Sequence, residues 1–299
     1  MSTPDSPDTD VASDLATHIR ALGDEITPHT IGATIALCLP LHEGVDNSGV
    51  ATIRDLAYGP HERHRLDVFA PRRPGNVARP VLLFVHGGGF VAGDKSTPGS
   101  PFYDNVGQWA THNGMLGVTM TYRLAPEHRW PSGSEDVARA VQWLREHVGD
   151  HGGDPEQIFV MGHSAGAVHT AGYIAREHSV GGTGWRPAGA VLVSGLYDTR
   201  SMEKNSFFKA YFGDDVTGAS SVSFLAALAR TSVPLMAILA EYDPRDFQRQ
   251  AIELNAAYVS QHQHWPRFLQ LPGHNHLSHV FGLNAPGDRL GPHIRAFVR

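Results

Sequence analysis

Ser164 stands between two glycines, in Gly162-His163-Ser164-Ala165-Gly166, a match to the pattern G-x-S-x-G. The apolar run Ile158–Met161 before it reads as a buried strand, and helix-compatible residues follow from Ala165 to about Glu177. Strand, sharp turn, helix is the context in which such a serine serves as a nucleophile. The turn forces the serine into a strained backbone conformation, so small residues are needed two before and two after it. The helix N-terminus then points unpaired N–H groups and a positive dipole end at whatever the hydroxyl attacks.

A serine hydroxyl is a poor nucleophile alone. It needs a base, an acid to orient that base, and donors for the oxyanion. In open α/β sheets such groups gather just past the carboxyl ends of the strands. Past Val81–Val85 comes His86-Gly87-Gly88-Gly89-Phe90. Glycines let the backbone approach a ligand closely, so the N–H groups of Gly87 and Gly88, with that of Ala165, would form an oxyanion hole. His86 precedes the serine and reads as a structural hydrogen-bonder, and Phe90 adjoins the loop where substrate would lie. Past Val233–Ala240 comes Glu241-Tyr242-Asp243-Pro244-Arg245-Asp246. Asp243 is the best orienting acid by the strand-end rule. Asp246, Glu241 and, after the preceding strand, Asp198 are weaker alternatives. Past Arg267–Leu271 come His274, His276 and His279, and the residues alone leave all three open as the base.

These groups need elements to hold them. Val50–Tyr58 and Arg65–Phe69 read as a hairpin, and Pro71–Pro80 as a loop. Val81–Val85, Gly117–Tyr122, Ile158–Met161, Ala188–Ser194, Val233–Ala240 and Arg267–Leu271 read as further strands. Between them lie helical patterns at Phe102–His112, Ser134–Val148, Phe247–Val259 and Gly287–Val298. Strands alternating with helices predict an α/β fold with a mostly parallel sheet covered on both faces. Residues 1–10 read as disordered or frayed. Two helical patterns follow, one carrying Leu15, Ile19 and Leu22 and the other spanning Ile31–Leu39. The expected organisation is a tail and helical lid over 1–49, then one domain over 50–299. A lid insertion at about 196–232 carries Phe207, Phe208, Tyr211 and Phe212.

Composition narrows the partners. Of 299 residues, 41% are hydrophobic and 18% charged, an ordinary globular balance. A net charge of -6 gives no support to nucleic acid or an anionic membrane as partner. The single cysteine, Cys38, excludes an intrachain disulfide and reads as a buried small hydrophobe. The apolar stretch Ile31–Leu41 is too short to span a bilayer, and the first ten residues lack a secretory pattern, so the cytoplasm is the expected compartment. His262-Gln263-His264 and His274-Asn275-His276 lack a third ligand at a recognisable spacing, so no metal site is expected. No organic cofactor is needed for the chemistry above.

Together these residues resemble the α/β-hydrolase fold, and within it the hormone-sensitive-lipase-like carboxylesterases. His86–Phe90 is similar to that family's HGGG oxyanion motif. Tyr122-Arg123-Leu124-Ala125-Pro126-Glu127 is similar to its YRLAPE segment, Gly162–Gly166 to its nucleophile elbow, and Asp243-Pro244 to the start of its acid motif. The resemblance runs from about residue 50 to the C-terminus. It implies the triad order Ser, Asp, His, ester hydrolysis through an acyl-enzyme, and a homodimer, as members of that family often are. Three positions depart from the pattern. His163 stands where the family has Asp, Arg245-Asp246 follow Pro244, and Asn275-His276-Leu277-Ser278 replaces H-G-F. At His163 and at Asn275–Ser278 the chain looks more like the arylformamidase group, whose histidine sits in D-H-F, and that alignment implies His276 as the base. The reading is a serine carboxylesterase for small to medium acyl esters of small-molecule alcohols, with Ser164, Asp243 and His276 catalytic. Phe90, His163, Phe208 and Tyr211 are the substrate-contact candidates. An amide hydrolase of the formamidase type is the alternative. A non-catalytic binding protein on this fold is a third reading, which the presence of all three catalytic residue types opposes.

Overall fold

The computed structural model describes residues 7–73, 75, 77–179, 185–214 and 222–299. Parts of the expected tail (1–6), of the 71–80 loop (74 and 76) and of the lid insertion (215–221) lie outside the described residues. In chain order the elements are α1 (Pro7–Leu22), α2 (Pro28–Cys38), β1 (Val50–Ala57), β2 (Arg65–Pro71), β3 (Arg79–Val85), α3 (Asp104–His112), β4 (Leu116–Met120) and α4 (Ser132–His147). They continue as β5 (Gly153–His163), α5 (Ala165–Ser179), β6 (Gly189–Val193), α6 (Ser206–Phe212), α7 (Leu225–Arg230), β7 (Leu235–Tyr242), α8 (Arg245–His262), β8 (Arg267–Asn275), α9 (Ser278–Phe281) and α10 (Gly291–Val298). Residues 7–10, expected to be frayed, open α1 instead.

The strands form one sheet in the order β1-β2-β4-β3-β5-β6-β7-β8. β1 with β2 is the expected hairpin. β2 pairs antiparallel with both its neighbours, and the pairs from β4 through β8 are parallel. Side chains alternate across each strand, so the apolar run of β3 serves two cores at once. Val81, Leu83 and Val85 join Val160, Leu192, Val137 and Leu144 on the face that α4 and α5 cover. Leu82 and Phe84 join Met161, Val193, Trp109 and Ile294 on the face that α3 and α10 cover. Each such buried side chain contributes about 1.5–3 kcal/mol.

β3 is the first strand of the parallel run. Its connection leads outward to β4 on one side, whereas β5 leads to β6 on the other. Loops that leave two adjacent strands in opposite directions open a crevice at the carboxyl ends, here between β3 and β5. The glycine loop and Ser164 both sit there. β8 runs four residues past the expected end at Leu271, through Pro272 to Asn275. Proline is tolerated there because β8 is an outer strand, where one side of the ladder needs no N–H.

Candidate active site

Ser164 follows β5 directly, with φ at 55°. A serine held in the left-handed region is strained, and the surroundings fix it there. The Ser164 N–H donates to the Val193 carbonyl at 2.9 Å, and the Ser164 carbonyl accepts from the Ala167 and Val168 N–H groups as α5 begins. Gly162 and Gly166 are required by close approach. A Cβ at Gly162 would lie 2.2 Å from the Gly166 carbonyl oxygen, and one at Gly166 would lie 2.1 Å from that of Val85. β3, β5 and the start of α5 are therefore locked backbone to backbone around the serine.

His276 emerges where β8 ends. Its Nε2 lies 2.8 Å from Ser164 Oγ and its Nδ1 lies 2.6 Å from Asp243 Oδ1. Asp243, just past β7, has no solvent exposure. Its second oxygen accepts from the Ala240 N–H at 2.7 Å and from the Ser194 hydroxyl at 2.6 Å. An ionised carboxylate only accepts, so Nδ1 of His276 carries the proton and Nε2 is free to take one from Ser164.

The other two histidines are tied elsewhere. His274 meets Ser278 Oγ at 3.0 Å, and burial pushes it down to about 4. His279 Nε2 meets Ser194 Oγ at 3.2 Å. The alternative acids are occupied too. Asp198 pairs with Arg200 and Ser223, Glu241 accepts from the Gly273 N–H, and Asp246 accepts from the Glu203 N–H and Arg249.

Gly87 packs against the serine, since a Cβ on it would lie 3.1 Å from Ser164 Cβ. Gly88 has φ 129°, and a Cβ there would fall 2.0 Å from the Ala92 carbonyl oxygen. The N–H groups of Gly87, Gly88 and Ala165 have no acceptor among the described residues. Tyr122 explains the six-residue motif that it opens. Fully buried, it stacks on His86 at 4.3 Å and donates to the His86 carbonyl at 3.0 Å. Ala125 N–H donates to the Phe90 carbonyl at 3.0 Å. The motif thus holds both ends of the glycine loop. His86 is structural, as expected, with burial pushing it down to about 4.

Ser164 and His276 open onto a pocket of about 850 Å³. Phe90, Phe207, Phe208 and Phe247 line it, and Ile26 and Ile31 from the α1–α2 segment close another side. Two of the substrate-contact candidates need correction. Tyr211 does not border the pocket. It lies behind Phe90, stacked at 4.5 Å, with its hydroxyl between the Gly133 N–H and His169. His163 adjoins the pocket floor but has no exposed surface. Its Nε2–H donates to the His276 carbonyl at 2.7 Å, so that nitrogen is spent on the His276 backbone and not on a ligand. Burial first, and then the His276 imidazole, push His163 down to about 3. Among the described residues no group of ligating side chains could hold a metal ion. No helix among them is long and apolar enough to cross a membrane.

Sequence reasoning passed over four contributors. Ser194 closes β6, and the strand-end rule that found Asp243 could have found it. Thr34 of α2 accepts from the Asn275 side chain at 2.8 Å, and Asn275 in turn accepts from the Leu277 and Ser278 N–H groups. Nothing in the sequence signals that contact. Ile26 and Ile31 were visible only as parts of a lid.

A family model described as the alpha/beta hydrolase fold matches residues 82–260. Two esterases of Mycobacterium tuberculosis are similar in sequence. Esterase LipI is 39% identical over 113 residues, covering 38% of this chain and 34% of the relative. Esterase LipQ is 36% identical over 136 residues, covering 44% and 31%. The chain thus spans about a third of the length of the curated relatives it matches. In fold it is similar to a bacterial heroin esterase (TM-score 0.69, 22% identity, 96% and 98% of the two chains). It is also similar to an esterase of the bacterial hormone-sensitive lipase family (TM-score 0.68, 21% identity, 99% of each). With more than half its length matched by the family model and its sheet, elbow and strand-end residues arranged as described, the chain belongs to the α/β-hydrolase fold family.

Proposed function

We propose that this protein hydrolyses carboxylic esters, with Ser164 as nucleophile, His276 as general base and Asp243 orienting it. The observation that carries the proposal is the hydrogen-bonded chain Ser164–His276–Asp243 at a largely apolar pocket, beside unpaired backbone N–H groups. Ser164 Oγ attacks the ester carbonyl while His276 Nε2 takes its proton. The carbonyl π electrons move to oxygen, and the N–H groups of Gly87, Gly88 and Ala165 receive that oxyanion. In comparable sites one such donor is worth about 3 kcal/mol. As the tetrahedral centre collapses, the C–O bond to the alcohol breaks and His276 returns the proton to the leaving oxygen. Water, deprotonated by His276, then cleaves the acyl-enzyme. The esterase names of the sequence relatives support the ester class.

Phe90 and Phe208 border the pocket, which supports them as substrate contacts. The α1–α2 segment and the α6 region wall it from two sides, which supports the lid assignment for 1–49 and for the insertion. Apolar walls suit small to medium acyl groups and aromatic alcohols. Homodimerisation belongs to the same proposal, rests on the family resemblance, and is read by sedimentation.

The test is a panel of p-nitrophenyl esters from acetyl to dodecanoyl beside N-formylkynurenine, with Ser164→Ala as the blank. Ester turnover lost in a folded Ser164→Ala protein supports the proposal. Ester turnover that survives the substitution sinks Ser164 as nucleophile. Preferential formamide turnover would favour the amide-hydrolase reading, which uses the same residues and rests on His163 and the Asn275-His276 context.

A further inference from the structure

Two adjacent parallel strands each deliver a serine in the left-handed backbone region at their carboxyl ends. Ser164 after β5 has φ 55°, and Ser194 after β6 has φ 49°. Only the first is used by the mechanism above. A non-glycine residue held at positive φ costs free energy, and such outliers gather at functional sites. Ser194 is fully buried, its N–H donates to the Ile238 carbonyl at 2.8 Å, and its hydroxyl donates to Asp243 Oδ2 at 2.6 Å. Its one hydroxyl proton is thereby spent. The 3.2 Å contact with His279 must therefore run the other way, His279 Nε2–H donating to Ser194 Oγ. Burial, and then the neighbouring imidazoles, hold His279 well below the ordinary histidine range, so it stays a neutral donor.

We propose that Ser194 is a positioning residue for this site, its hydroxyl aimed by His279 so that the Asp243 carboxylate stays fixed against His276. The chain of hydrogen bonds then has five members, His279–Ser194–Asp243–His276–Ser164. Asp243 cannot rotate, because Oδ2 is held by Ser194 and the Ala240 N–H while Oδ1 faces Nδ1 of His276. The titratable groups around this chain are His163 from β5, the Tyr197 hydroxyl after β6 and His274 from β8, and within it His279 comes from α9. The Phe247 ring of α8 closes the remaining side of His276 at 4.5 Å. Removing the Ser194 hydroxyl leaves Oδ2 with one donor. The less well-satisfied carboxylate then holds the imidazolium proton more tightly and is free to turn.

The inference rests on the hydrolase reading, and its test separates the two. Ser194→Ala removes the hydroxyl, and Ser194→Gly removes it while suiting the positive φ. Both are expected to lower kcat on a p-nitrophenyl ester about tenfold with KM within about twofold, the scale of one hydrogen bond to a charged group. Both are expected to move the acid limb of the kcat/KM profile to higher pH. A second readout needs no substrate. The 2.6 Å contact between His276 Nδ1 and Asp243 predicts a low-field Nδ1–H proton resonance in the wild type, which is expected to be displaced or lost in both variants. Full activity in Ser194→Gly would show that only the backbone matters and would overturn the proposal. So would an unchanged pH profile together with an unchanged resonance. A wild type that neither turns over esters nor takes a fluorophosphonate at Ser164 would sink the hydrolase reading, and the resonance would still decide for or against Ser194.

Discussion

The two histidines flanking Asn275 differ in one decisive respect, the atoms within reach. His276 touches both Ser164 and Asp243, whereas His274 is spent on Ser278. His276→Ala is therefore expected to cut kcat/KM by about 10⁴-fold or more, as loss of a triad member does. His274→Ala should stay within about tenfold of wild type, its cost falling on stability through the Ser278 contact. Steady-state kinetics on one short-chain ester checks both, and the reverse ranking would move the base to His274.

The elements meet where backbones touch. Gly166 lets the first turn of α5 press on the end of β3, and an added methyl would fall 2.1 Å from the Val85 carbonyl oxygen. Backbone cannot step aside as a side-chain tip does, so Gly166→Ala is expected to destabilise by about 3 kcal/mol, within the range for overpacking. Urea unfolding would read it, and a loss under 1 kcal/mol, the scale of a tolerated swap, would mean that the elbow relaxes. On the opposite side, α2 holds the histidine-bearing loop through Thr34 and Asn275. Thr34→Val leaves the buried Nδ2–H of the Asn275 side chain unpaired, which costs about 1–3 kcal/mol. A fall in kcat beside that loss would show that the N-terminal helices fix His276 as well as wall the pocket. An unchanged kcat would confine α2 to walling.

Across the whole molecule the buried imidazoles set the response to acid. Burial pushes His86 and His274 down to about 4 and His163 and His169 to about 3. Each binds its proton in the unfolded chain from about pH 6.5 downward but not in the folded one. The unfolded state then carries more protons, so stability falls as pH falls through that window. Asp288, raised to about 6 by burial, acts in the opposite sense but is a single carboxyl. Between pH 7.5 and 5.5 each such histidine is expected to cost about 1.4 kcal/mol. Urea midpoints that do not drop over this interval would contradict the buried, neutral assignment.

Local requirements were legible in the chain because they are short-range. Gly162 and Gly166 around Ser164, the glycines after β3, and the alternation of apolar runs with amphipathic ones follow from turn sterics and from the periods of strand and helix. They gave the fold class and brought Ser164 and the glycine loop forward as candidates. The candidate base is different. His274 and His276 lie two residues apart, a spacing that strand periodicity cannot tell apart. Only the end of β8 pairing at Tyr242–Asn275 releases His276 toward Ser164. Pro272 masked that end, because a proline in the interior of a sheet stops a strand and one on an outer strand does not. Thr34 and the true place of Tyr211 were equally out of reach, whereas Ser194 stood at a strand end and only its partner was hidden. Each acts on a partner from a distant segment, and such pairings are set by how the sheet and its covering helices pack, which no local spacing encodes.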